Sequence, residues 1–201
     1  MRIIACTLAA LALVPAAVAA SSTRADAWTT HRSAAGGFTV STPATWIDMT
    51  RLSPEVLTRV RALPTLAQYV TLLRSSKIVK LLVADASATA IANHYASNLN
   101  VVQAATIGDL RLQHDATIAQ LRSSGVVRGT LHASYVTLPA GRAVSLSYLA
   151  DFGGSTPTVA LQQFMFVRGG KATVLTYTTL PKLRGAYETI FARSARSFRF
   201  V

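Results

Sequence analysis

Phe164-Met165-Phe166-Val167-Arg168-Gly169-Gly170-Lys171-Ala172-Thr173-Val174-Leu175-Thr176-Tyr177 is the stretch whose reading decides the fold. Two runs rich in β-branched and aromatic residues flank a Gly-Gly pair. Glycine accepts positive φ at both central positions of a tight two-residue turn without steric cost. The spacing predicts a β-hairpin with arms Val159 to Val167 and Ala172 to Thr179. Gly169-Gly170-Lys171 is not a phosphate loop, because that motif needs G-x-x-x-x-G-K-[ST] between a strand and a helix. Here both flanks are strands.

Upstream of the hairpin the period is also two. Val127, Leu131, Ala133 and Tyr135 alternate with Arg128, Thr130, His132 and Ser134, which predicts a half-buried strand. Pro139-Ala140-Gly141 makes a turn into Val144, Leu146 and Tyr148, and a second turn occupies residues 153–157. Before Gly125 the period is helical: Ile107, Leu110, Thr117, Ile118 and Leu121 form one face, opened by Asp109 and stopped by Gly125. Arg111 and Asp115, four apart, are expected to pair on the wet side of that helix. Ile78 to Ala84 and Leu99 to Gln103 read as strands, with a loop over 85–97. Phe38 to Val40 and Trp46 to Met49 read as short strands. Ser53-Pro54-Glu55 reads as a helix start, with a second helical piece after Pro64. Downstream, Leu183, Tyr187, Ile190 and Phe191 mark a helix, and Ser197 to Val201 a last strand. The expected fold class is α+β: a central, mostly antiparallel sheet of about six strands with helices packed on its faces.

At the other end, Met1-Arg2 precedes an apolar run from Ile3 to Ala20, closing on the small-x-small pattern Ala17-Val18-Ala19. This predicts a cleaved signal peptide over 1–20, a flexible segment over 21–35, a single domain over 36–201, and an exported protein with no membrane span after cleavage. An uncleaved anchor is the alternative, since the run approaches the ~20 residues that cross a bilayer. Cys6, the chain's one cysteine, leaves with the signal. The exported domain is then held by its core alone, with neither a thiol nucleophile nor a cysteine-ligated metal.

Several of these segments resemble the PsbP/Mog1-like superfamily. Phe38-Thr39-Val40-Ser41-Thr42-Pro43-Ala44-Thr45-Trp46 is similar to its opening strand, Pro, x, x, Trp segment, and Asn98-Leu99-Asn100-Val101-Val102 to its Asn-rich strand. The hairpin above, followed by Tyr187-Glu188-Thr189-Ile190-Phe191 and Ser197-Phe198-Arg199-Phe200, resembles its closing hairpin–helix–strand unit. The resemblance implies an antiparallel sheet with helices on both faces, and a non-enzymatic binding or accessory role. The superfamily includes photosystem subunits, a nuclear-transport factor and exported bacterial proteins. No family site residue maps onto this chain.

The chemistry of catalysis is thinly represented. No G-x-S-x-G pentapeptide occurs, so a Ser/His/Asp site would have to assemble in space. His31, His94, His114 and His132 lie in four different elements without metal-ligand spacing, and no metal or cofactor is expected. His114 falls on the buried side of its helix, His132 on the polar side of its strand, and His94 in the long loop. Asp85, Asp109, Asp115 and Asp151 are singletons with capping, ion-pair or turn explanations.

Charge is the stronger signal. The chain carries 20 Lys+Arg against 8 Asp+Glu, a formal net charge of +12. The candidate anion contacts are Arg168, Lys171, Lys182, Arg184, Arg193 and Arg196, which with Arg199 face only Glu188 in the last stretch of chain. Arg193 and Arg196 also suit the C-terminal end of a helix. An exported chain without an aromatic-basic stacking strip argues against nucleic acid. Three readings follow: a non-catalytic binding or accessory protein with a protein or small-molecule partner, a hydrolase with a spatially assembled site, and an electrostatic binder of anionic lipid or wall polymer.

Overall fold

The Gly-Gly hairpin forms as the sequence predicts. In the computed structural model, which describes residues 27–51, 76–154 and 156–201, Gly169 and Gly170 have φ of 55° and 68°, and Arg168 pairs with Lys171 across the turn. The signal-peptide reading and both helical pieces between Ser53 and Leu73 lie outside the described residues.

Ten strands occur among the described residues: β1 (Trp28–Ser33), β2 (Phe38–Pro43), β3 (Trp46–Asp48), β4 (Val79–Asp85), β5 (Asn98–Ala105), β6 (Val127–Leu138), β7 (Gly141–Ala150), β8 (Val159–Arg168), β9 (Lys171–Thr179) and β10 (Arg199–Phe200). Three α-helices accompany them: α1 (Ala88–Ala92), α2 (Leu110–Ser123) and α3 (Arg184–Ser197). Seven strands build the main sheet in the order β3-β4-β5-β9-β8-β7-β6, with every pair antiparallel. The α+β expectation holds, with one strand more than the six expected. β1, β2 and β10 form a separate sheet of three, which sequence period alone did not separate from the first.

Alternation along each strand divides the core in two. On the front face, Leu81, Val83, Leu99, Val101, Phe164, Phe166, Leu175 and Tyr177 pack under α3 and the small sheet. Phe198 sits fully buried at this junction, with ring centroids 5.3 Å from both Phe38 and Phe166 and 5.0 Å from Phe200. The last strand is therefore pinned by aromatic contact as well as by its two-residue pairing with β2. On the back face, Val144, Leu146, Tyr148, Val159, Leu161 and Met165 pack with Leu121 and partly buried Leu110 and Ile118 of α2.

Several local expectations are corrected. Residues 28–33 were expected within the flexible segment, yet they pair along the whole of β2. β1 buries only His31 and Ser33, so it carries no apolar period to read. The 85–97 loop contains α1, a five-residue helix whose N-cap Ser87 side chain accepts from the Ala90 N–H. Ile107 is exposed rather than buried, because α2 begins only at Leu110 and helical spacing does not reach back to it. β6 is exposed along most of its length: among the described residues it is an edge strand paired only with β7.

Candidate functional site

α2 starts where the sequence places its cap. The Asp109 carboxylate accepts from the Leu112 N–H at 2.9 Å. Gly108 before it has φ of 88°, and the Leu112 side chain folds back over it, where a Cβ would lie 2.3 Å from Leu112 Cδ2. This tight start leaves an open groove of about 410 Å³ between the helix and the outer strands, lined by Asp109, Leu110, Arg111, Tyr135 and Arg142. That volume lies in the range of small-ligand sites, roughly 300–1,000 Å³.

Tyr135 of β6 forms its wall. The Arg142 guanidinium lies 4.4 Å from the Tyr135 ring centroid, and His114 of α2 stacks on the same ring at 5.1 Å. Asp115 approaches His114 Nδ1 at 2.7 Å, so the expected Arg111–Asp115 pair is replaced by a His–Asp contact. Among the described residues neither Arg111 nor Arg142 meets a carboxylate. The Asp109 carboxylate already serves the helix cap, so the groove presents two guanidinium groups without a committed anion.

Five of the six candidate anion contacts fall into two groups. Arg168 lies over the Phe200 ring at 5.3 Å and pairs across the hairpin with Lys171. Arg199 donates to the Arg196 carbonyl at 2.6 Å, which places Arg196 at the same end of the molecule. Lys182 and Arg184 follow β9 at its opposite end, where Arg184 donates to the Ser147 hydroxyl at 2.9 Å. Arg193 stacks on Trp28, 4.2 Å from the ring centroid. None of the six meets a carboxylate among the described residues.

Among the described residues, hydroxyl, histidine and carboxylate line up at β1. His31 Nε2 lies 2.9 Å from Thr42 Oγ1, and Nδ1 lies 3.9 Å from the Asp48 carboxylate. Thr42 is 0% exposed, so no substrate reaches it. Burial, helped by Arg51, lowers the His31 pKa against the opposing pull of Asp48. His94 and His132 are exposed and make no hydrogen bond through their side chains among the described residues. No group of three or more metal-ligating side chains occurs among the described residues.

No family model and no curated protein sequence matches the chain. Solved structures do. Cyanobacterial PsbP (CyanoP) from Synechocystis sp. PCC 6803 is similar over 92% of this chain and 98% of its own, at 13% identity and a TM-score of 0.54. The chain has a PsbP-like fold. LpqN, involved in cell envelope biogenesis of Mycobacterium tuberculosis, aligns over 86% of this chain and 90% of its own, at 12% identity and a TM-score of 0.48.

Within the PsbP-like fold, the back of the sheet carries polar side chains that sequence reading passed over. Asn100, Thr176 and Thr178 are buried on neighbouring strands, beside Asn98. Among the described residues neither side-chain polar atom of Asn100 has a partner, nor do the hydroxyls of Thr178 and Tyr95. Nearby, Gln163 Nε2 donates to Thr176 at 3.0 Å and Tyr148 donates to Gln163 at 3.3 Å. Burial pushes the Tyr148 hydroxyl up to about 12. The only sequence signal was the asparagine alternation in β5, which the resemblance treated as a strand marker. The groove was equally unread, because its lining comes from one helix and two strands that no local motif connects.

Proposed function

We propose that the chain is a non-catalytic binding or accessory protein, exported to the cell envelope or the exterior, that holds its ligand in the groove beside α2. The observation that carries this reading is the pairing of a concave site with an aromatic wall and two arginines that have no carboxylate partner among the described residues. A guanidinium binds and orients an anion but is too weak an acid to exchange protons near neutrality, so the groove suits binding better than acid–base chemistry. Thr42, the hydroxyl that a hydrolase would need beside His31, is sealed in the core. Export is supported by the reading of residues 1–20. No described helix is long and apolar enough to cross a membrane.

A second reading is favoured by the six C-terminal bases, which have no carboxylate partner among the described residues: retention on anionic lipid or wall polymer by charge alone. One titration separates the two. Backbone and arginine side-chain NMR signals are followed as glutarate is added, with and without anionic vesicles. Shifts confined to Arg111, Tyr135 and Arg142 support the groove. Shifts spread over Arg168, Lys171 and Arg196 only with vesicles present support the surface reading. Unmoved groove signals overturn the first.

A further inference from the structure

The groove opens beside a sheet edge. β6 runs for twelve residues as the outermost strand, and the described residues offer its outer backbone groups no partner strand. A register shift between Arg128 and His132, with Gly129 at φ 69°, interrupts only its first part, and the stretch from His132 to Leu138 is regular. No lysine or proline lies within it. Lysine and proline, with bulges, are devices that ordinarily keep an edge from accepting another strand, and the register shift here lies outside that stretch. Alternate residues of an edge strand turn N–H and C=O groups outward, so such an edge is a template for an added strand.

We propose that β6 accepts an extended acidic peptide by strand addition, with a peptide carboxylate held by Arg111 and Arg142. The inference rests on the groove being a binding site and names the class of ligand. Three observations converge on one occupant. The edge supplies a line of main-chain partners. The groove supplies two guanidinium groups that form no ion pair among the described residues, beside Tyr135 on that same strand. Partly buried Leu110, in the groove lining, supplies an apolar contact beside them. Main-chain pairing gives affinity without sequence preference, and the arginines then select peptides carrying Asp, Glu or a free C-terminus. A lone small carboxylate would fill only the groove, and a lipid surface would gain nothing from the edge.

The test uses the full chain and a fluorescein-labelled octapeptide alternating Glu and Val, followed by anisotropy at low and high salt. The acidic peptide is expected to bind, and its Lys-for-Glu counterpart is not. Arg111→Ala and Arg142→Ala are each expected to weaken binding by about tenfold, as the loss of one charge-assisted contact does. N-methylation at alternate peptide residues is expected to abolish binding in one phase and spare it in the other. Amide exchange within residues 132–138 is expected to slow when peptide is present. Equal binding of both N-methylated phases overturns strand addition and leaves groove binding standing. Acidic peptide binding no tighter than glutarate, or no tighter than its Lys-for-Glu counterpart, also overturns the inference. If neither glutarate nor peptide moves the groove signals, the inference and the proposed function fall together.

Discussion

Tyr187, in the first turns of α3, donates its hydroxyl to the buried carboxylate of Asp85 at the end of β4, joining residues 102 apart in sequence. Asp85 also accepts from the Ser87 N–H at 2.9 Å and the Ser87 hydroxyl at 3.0 Å. A buried carboxylate with no basic partner needs such donors to offset its lost hydration. Burial, with the adjoining Asp85, pushes the Tyr187 hydroxyl up, so it stays protonated and donating throughout the working pH range. Tyr187→Phe is therefore expected to lower unfolding free energy by about 1.5–3 kcal/mol, the range for a hydrogen bond to a charged group. Urea denaturation measures it. A change within experimental error would show that Asp85 does not depend on Tyr187.

His31 sets a pH dependence. Its pKa is lowered in the fold, chiefly by desolvation, from the ordinary value of 6.5. Above 6.5 the imidazole is neutral in both folded and unfolded chains, and its contribution to stability is fully present. As pH falls below 6.5 the unfolded chain takes up a proton that the folded chain resists, so stability drops until the lowered folded pKa is passed. Melting temperature is expected to fall over this window, and less steeply in His31→Gln. Parallel pH profiles for the two proteins would remove His31 from the account.

The hairpin turn isolates backbone strain from packing. Gly170 has φ of 68°, and a Cβ placed there meets nothing within 4 Å. Any penalty for substitution is therefore conformational. Gly170→Val is expected to cost about 1–2 kcal/mol, the scale of the left-handed penalty for an L residue, and Gly170→Asn distinctly less. Equal effects of the two in thermal unfolding would mean that the turn changes conformation to accept them.

These residues also show what sequence could and could not convey. Gly169-Gly170 forces a turn by local chemistry, and the arms beside it are buried on a fixed face, so both are legible in a single window. Asp109 caps α2, and Asp151 holds the Gly153 N–H at 2.8 Å and Arg128 at 3.0 Å, as isolated acids of that kind suggest. β1 is different: its ordering depends on pairing with β2 and on His31 meeting Thr42, contacts that no window of its own contains. The groove is illegible for the same reason. Arg111, Tyr135 and Arg142 meet only because α2 crosses from β5 to the far edge of the sheet.

Thr178 provides the sharpest test of the back face. Its hydroxyl is buried on β9 with no hydrogen-bond partner among the described residues, diagonally placed from Asn100, whose amide is equally unpartnered there. A hydroxyl desolvated without compensation costs about 1–3 kcal/mol. Valine has nearly the same shape and keeps the β-branched preference for a strand. Thr178→Val is therefore expected to raise stability by about 1 kcal/mol, with Thr176→Val, which loses the Gln163 contact at 3.0 Å, lowering it. The pair is measured by denaturation in parallel. Should Thr178→Val destabilise instead, the hydroxyl is compensated in the fold, and the back face is then a satisfied polar site rather than an uncompensated one.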